Sequence, residues 1–259
     1  MGLKAKQLAQ CTVDFDKDGK QSGFFNLPLS VHDDAWGLVR VPLAVIKNGT
    51  GPTVILEGGN HGDEYEGPIT LGEMIRDLDP GLVSGRLIFI PAINLPAVNA
   101  ARRTSPIDDL NMNRTFPGNA NGTTTQQISA FVNDALFPMG DAFLDLHSGG
   151  SSLDLMPSSV IEPVADPVQH AKNVAAVTAF DAPLVVVIDN RGDTCRSHRG
   201  RHRNGRCRHG IARRTRSVPP RRAQRALASR RAAARAGEPA PASAAPFRTA
   251  RFRRLCDLG

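Results

Sequence analysis

Most features that would classify the chain at a glance are missing. Only Cys11 falls within the first 190 residues, with Cys195, Cys207 and Cys256 further on. Four cysteines so spread make no disulfide framework and fit a reducing compartment. Aromatic residues amount to 5 %, with Trp36 and Tyr65 the single examples of their kinds. No apolar run approaches the roughly 20 residues that cross a bilayer. The start, Met1-Gly2-Leu3-Lys4-Ala5-Lys6-Gln7, lacks the apolar stretch of a signal peptide. The glycine-rich stretch Gly58–Gly67 has no Lys-Ser/Thr to close a phosphate loop, and no His-Glu-x-x-His occurs. These absences predict a soluble, cytoplasmic protein with no membrane partner.

Lysine is absent from residues 191–259, yet arginine is not. That segment holds 20 Arg against three acids, Asp193, Glu238 and Asp257, a balance of +17. The first 190 residues hold 12 basic and 22 acidic groups, a balance of −10, so the overall +7 averages two unlike parts. The arginine-rich part has 7 large apolar residues in 69, too few to offset the entropy of ordering it. Residues 191–259 are therefore expected to be a disordered tail. Arg, Ala, Pro and Gly are products of GC-rich codons, and a shifted reading frame near residues 190–195 accounts for the composition. Such an arm would attract phosphate non-specifically, which keeps open a non-catalytic domain with a nucleic-acid-binding basic arm. Its Cys195, His198, His202, Cys207 and His209 match no standard zinc-finger spacing.

Residues 1–190 suffice for one domain. Apolar runs at Thr53–Leu56, Arg86–Ile93, Ala142–Leu146 and Pro183–Ile188 read as buried strands. Ile69, Leu71, Met74, Ile75 and Leu78 recur at helical intervals, as do Ile128, Phe131, Val132, Ala135 and Leu136. Thr124-x-x-Gln127 reads as a capping box for the second helix, and a third is expected over Val168–Phe180. Trp36–Ile46 reads as a strand paired with Gly23–Leu29. Strands alternating with helices predict an α/β fold, a mostly parallel mixed sheet with flanking helices. In such sheets ligands bind beyond the carboxyl ends of strands.

His61 and His147 fall at two such ends. Gly58-Gly59-Asn60-His61-Gly62-Asp63-Glu64 sets a histidine and a glutamate three residues apart in a glycine-rich loop, and Asp145-Leu146-His147 closes a later run. Two imidazoles, one carboxylate and one position left for water make a catalytic zinc site. Such a site lowers the pKa of bound water from about 15.7 to about 7, which is on the order of 12 kcal/mol toward hydroxide. On a strand, Asp145 shares a face with His147 and can orient an imidazole. Ser148-Gly149-Gly150-Ser151-Ser152 reads as a loop lining the site, with no partner to make a serine nucleophilic.

Between the two halves lies Asp109-Leu110-Asn111-Met112-Asn113-Arg114-Thr115-Phe116-Pro117-Gly118. With this block in place, residues 20–190 resemble the succinylglutamate desuccinylase/aspartoacylase family, a branch of the zinc carboxypeptidase-like hydrolases. The Asn-Met-Asn-Arg-Thr-Phe-Pro-Gly version is most similar to bacterial members of the N-acetyl-diaminobutyrate deacetylase type. The resemblance implies one Zn²⁺ per chain on His61, Glu64 and His147. It implies a substrate carboxylate gripped by Asn113 and Arg114, and a catalytic arginine polarising the scissile carbonyl, Arg103 or its neighbour Arg102. The activity implied is hydrolysis of the amide of a small N-acyl amino acid, with carboxypeptidase action on short peptides as the second choice. The family's general-base glutamate and C-terminal tyrosine find no match. Beyond His147 the only glutamates are Glu162 and Glu238, each before a proline, so activity of this chain is expected to be impaired.

Overall fold

The computed structural model describes residues 10–32, 34–188 and 210–212. β1 (Gly19–Val31) and β2 (Asp34–Asn48) form a long antiparallel hairpin, with Phe25 opposite Val41 and Leu29 opposite Gly37. The remaining strands are β3 (Thr53–Gly58), β4 (Gly85–Ile90), β5 (Ala142–His147), β6 (Ser158–Ile161), β7 (Leu184–Val187) and β8 (Gly210–Ala212). One sheet contains all eight, in the order β1-β2-β4-β3-β5-β8-β6-β7. β3 runs parallel to β4 and β5, β5 to β8, and β6 to β7. β2 meets β4, and β6 meets β8, antiparallel. The fold is thus a mixed α/β sheet.

Every residue of β3 is buried, because both faces of the sheet are covered. Ile55 and Ile88 face one core with Phe25, Val41 and Met112, closed by Ile128, Phe131, Val132, Ala135 and Leu136. The last five come from α3 (Thr124–Phe131) and its continuation as a π-turn over Val132–Leu136. Phe25 and Phe131 stack with ring centres 3.8 Å apart. Val54, Leu56, Leu87, Phe89 and Leu144 face the other core, against α1 (Glu66–Asp77) and α4 (Pro167–Phe180). Leu71, Met74 and Ile75 carry the α1 contact, and Leu78 follows at its C-cap. Ile69 is 58 % exposed: it lies two residues from Leu71, about 200° around the helix.

Three expectations are corrected. β4 stops at Ile90, because the following turn hooks backward: Ile93 N donates to Gly58 O (3.0 Å) and Asn94 N to Gly59 O (3.2 Å). The capping box sits one residue earlier, on Thr123 and Gln126, and Gln127 donates instead to Gly122 O at 2.7 Å. β7 forms where expected but is not buried. Among the described residues it is the last strand of the sheet, with only β6 beside it, and Val187 is 62 % exposed.

Short α2 (Leu95–Ala100) and β6 have no counterpart in the sequence reading. The composition break near residues 190–195 and nearly all of the arginine-rich segment lie outside the described residues. Within that segment Gly210–Ala212 enter the sheet as β8, between β5 and β6. No helix among the described residues is long and apolar enough to cross a membrane.

Candidate metal centre

β3 and β5 are in parallel register, Glu57 level with Asp145 and Gly58 with Leu146, so their carboxyl ends emerge side by side. The loop after β3 then turns against α2. Gly59 takes φ +73°, and a Cβ on Gly62 would lie 2.0 Å from the carbonyl of Ala97. Gly62 N donates to Arg102 O at 2.9 Å, which brings the residue after Arg102 over the same loop.

His61, Glu64 and His147 converge, with one ligating atom from each within 4.8 Å of the others. His61 and Glu64 are 2 % and 4 % exposed. His61 Nδ1 lies 2.7 Å from Glu64 Oε1, and His147 Nδ1 lies 2.8 Å from Glu64 Oε2. The outer nitrogens rest on oxygens: His61 Nε2 is 3.2 Å from Asn111 Oδ1, and His147 Nε2 is 2.8 Å from Asp145 Oδ2. Such partners hold the N–H on Nε2 and leave Nδ1 to face inward as a ligand. The donor set suits a dication of the zinc type, with two imidazole nitrogens, one carboxylate and oxygens backing each ring.

The electrostatics agree. Burial alone would raise the carboxyl of Glu64, but hydrogen bonds from His147 and His61, the His147 charge and the Ser148 N–H outweigh it. The group is held well below the usual carboxylate range. Burial opposes the charge on His147, yet the charge and hydrogen bond of Asp145, joined by Glu64, push it up to about 11.

Of the two neighbouring arginines, Arg103 reaches the centre, donating from Nη1 to Glu64 Oε1 at 3.2 Å. Arg102 pairs with exposed Asp109 at 3.2 Å instead. Asn113 stands on a 3-10 turn, Met112–Arg114, with its Nδ2 3.4 Å from His147 Nε2. Arg114 is exposed and makes no ion pair among the described residues. The Ser148–Ser152 loop does touch carboxylates: Ser148 Oγ donates to Glu66, and Ser151 N and Oγ both reach Asp63 Oδ2 at 3.1 Å.

The sequence reading missed Asn60, Asn111, Asp63 and Glu66. Asn111 was in view, two residues before Asn113, a spacing that lets one loop set Asn111 Oδ1 at His61 and Asn113 Nδ2 near His147. Asp108 anchors this loop from behind. It accepts from Thr125 N (2.8 Å) and Oγ1 (2.7 Å) in the first turn of α3. Burial raises its carboxyl, but these bonds prevail and lower it. Asp108→Ala is expected to lower the unfolding free energy by about 1 kcal/mol, the usual worth of such a cap. A depressed carboxylate stabilises above its unfolded pKa and loses that effect as pH falls through its folded one. The wild-type advantage in thermal melts should therefore shrink on acidification, and an advantage that grows at low pH would refute the role.

Comparison with known proteins identifies the family. Residues 50–208, more than half of the chain, match the succinylglutamate desuccinylase/aspartoacylase catalytic domain, and the match continues past the composition break at Arg191. The chain is 45 % identical over 177 residues to an N-alpha-acetyl-L-2,4-diaminobutyric acid deacetylase of Halomonas elongata, covering 68 % of this chain and 52 % of that protein. A crystal structure of a succinylglutamate desuccinylase/aspartoacylase from Rhodobacter sphaeroides superposes with a TM-score of 0.70 at 40 % identity, over 78 % of this chain and 60 % of that one. The product-bound ectoine utilization protein EutE of Ruegeria pomeroyi gives a TM-score of 0.70 at 40 % identity, over 88 % and 70 %. The chain spans about half the length of the curated relative and three fifths of the Rhodobacter protein.

Proposed function

We propose, from the premise that this chain belongs to the succinylglutamate desuccinylase/aspartoacylase family, that its centre serves zinc-dependent hydrolysis of the amide bond in a small N-acyl amino acid. The supporting observation is the pair of inward-facing Nδ1 atoms on one buried carboxylate, each ring held from outside by an oxygen. His61, Glu64 and His147 would hold the ion. Zinc so bound would acidify a water molecule and polarise the scissile carbonyl.

The chain's own groups do the rest. Asp145 and Asn111 fix the rings. Arg103, exposed on the solvent side of Glu64, offers a guanidinium to the carbonyl oxygen as negative charge develops there. Asn113 and Arg114 bind the substrate carboxylate, for which the planar guanidinium fork is suited. The name of the Halomonas relative points to N-acetyl-L-2,4-diaminobutyrate as the first compound to try.

The test is acetate release from that compound by the zinc-loaded chain at high protein concentration, with Arg103→Ala and Arg102→Ala alongside. Arg103→Ala should lower kcat/KM by about 100-fold, the usual loss for one oxyanion donor. Arg102→Ala should leave it within about threefold, as for an exposed ion pair. Equal effects of the two variants, or no metal-dependent release at all, would overturn the assignment.

A further inference from the structure

We propose that Asn60 is a positioning residue: by donating to Oδ1 of Asn113 it turns the N–H side of that carboxamide toward the substrate's carboxylate. The inference rests on the reading of Asn113 as part of the carboxylate grip.

Asn60 is 1 % exposed and directly precedes the ligand His61. Its Nδ2 donates to Asn113 Oδ1 at 3.1 Å, linking the loop after β3 to the 3-10 turn that carries Asn113 and Arg114. Asn60 is itself held from behind. Its backbone oxygen accepts from Asn94 Nδ2 at 3.2 Å, and Asn94 is fully buried at the N-cap of α2. Asn94 N in turn is bonded to Gly59 O. The backbone that carries Asn60 is therefore pinned between two strand ends and its buried carboxamide donates to Asn113, whereas Asn113 sits only half-buried at the rim of the centre.

A carboxamide presents donors at one end and an acceptor at the other. Only one of its two orientations suits an anionic ligand; the other sets lone pairs against the carboxylate. With Oδ1 occupied by Asn60, Nδ2 is the end turned away from Asn60, and because Nε2 of the neighbouring His147 gives its own N–H to Asp145, the Nδ2 donors stay available to a ligand. A hydrogen bond of ordinary strength biases that choice by about fivefold to tenfold. A post that orients one substrate-binding amide is a device for selecting carboxylate over its uncharged isostere.

Calorimetry on the full, zinc-loaded chain tests this with two probes, N-acetyl-L-2,4-diaminobutyrate and the analogue whose α-carboxylate is a primary carboxamide. Asn60→Ala and the near-isosteric Asn60→Asp should each weaken the carboxylate probe about tenfold and the carboxamide probe less than about twofold. Zinc affinity should stay within about twofold of wild type. In an Asn113→Ala background the same substitutions should change carboxylate binding by less than about twofold, because residues acting through one another are not additive. In the unsubstituted chain, the side-chain amide resonance of Asn113 should shift when the carboxylate probe is added. Independent, multiplicative effects of the two sites would overturn the role of Asn60, as would equal weakening of both probes, loss of zinc, or an unmoved Asn113 resonance. If Asn113→Ala alone binds both probes like wild type, the carboxylate-grip reading itself falls, and that outcome is distinct from the others.

Discussion

Glu64→Gln is expected to weaken zinc binding by the full chain at least about 100-fold, the largest effect of any single substitution at the centre. Glu64 is the hub of the site. One carboxylate oxygen meets His61 Nδ1 and Arg103, and the other meets His147 Nδ1 and the Ser148 N–H at 3.0 Å. Glutamine keeps the shape but removes the charge that draws a dication inward. It also turns an N–H toward one of these partners, all of which donate or ligate. A competition titration against a chelating dye measures the change, and an affinity within about threefold of wild type would remove zinc ligation by Glu64 from consideration.

The pH dependence of the same titration follows from His147. Its proton, held to about 11, must leave before Nδ1 can ligate, so zinc affinity should rise with pH, by up to about tenfold per unit from pH 6 to 9. The metal-free fold should behave oppositely. A histidine whose folded pKa is raised contributes stability that is full below the unfolded value near 6.5 and fades as pH climbs through about 11. Zinc should thus raise the melting temperature more at pH 9 than at pH 6. A zinc-induced increment independent of pH would contradict the link between His147 and the ion.

What could be read from the sequence divides along physical lines. β3 was legible because a strand covered on both faces reads as a continuous apolar run, as Val54, Ile55 and Leu56 do. The helices were legible where a stripe repeats, as Leu71, Met74, Ile75 and Leu78 do. α2 was not, since six residues headed by Leu95-Pro96 are too few for a period to show. β6 opens on Ser158-Ser159, with no apolar alternation to betray it. The burial of β7 was misjudged because four consecutive apolar residues look alike at the centre and the edge of a sheet. At the centre, His61, Glu64 and His147 stood out as residue types that rarely gather without a purpose. Asn60 and Asn111 did not, because asparagine is the ordinary residue of loops. Only the distances to Asn113 and His61 separate these two from turn-formers.

The other large effect concerns turnover. Hydrolysis of N-acetyl-L-2,4-diaminobutyrate by the 259-residue chain is expected to fall at least about 100-fold below that of the Halomonas relative under the same conditions, since general acid–base help contributes about 10²–10⁴-fold. The structure bears on this through Glu162. β6 runs opposite to β5: Ser158 is level with Ala212 of β8, which is level with His147. Glu162 follows the far end of β6, four residues beyond Ser158, about 13 Å along the strand direction at 3.3 Å per residue. That separation exceeds the single hydrogen bond, direct or through one water, over which a general base acts. Glu57 and Glu66 are committed elsewhere, the first inside β3 beside Asp145 and the second on Ser148. Among the described residues, then, no glutamate other than Glu64 joins His61 and His147 in the group that could hold an ion. Binding and turnover should come apart in this chain, with zinc and N-acyl amino acid held normally while the amide is cleaved slowly. A turnover rate within about tenfold of the relative would show that a base had been overlooked, and Glu162→Gln would then be the first variant to make.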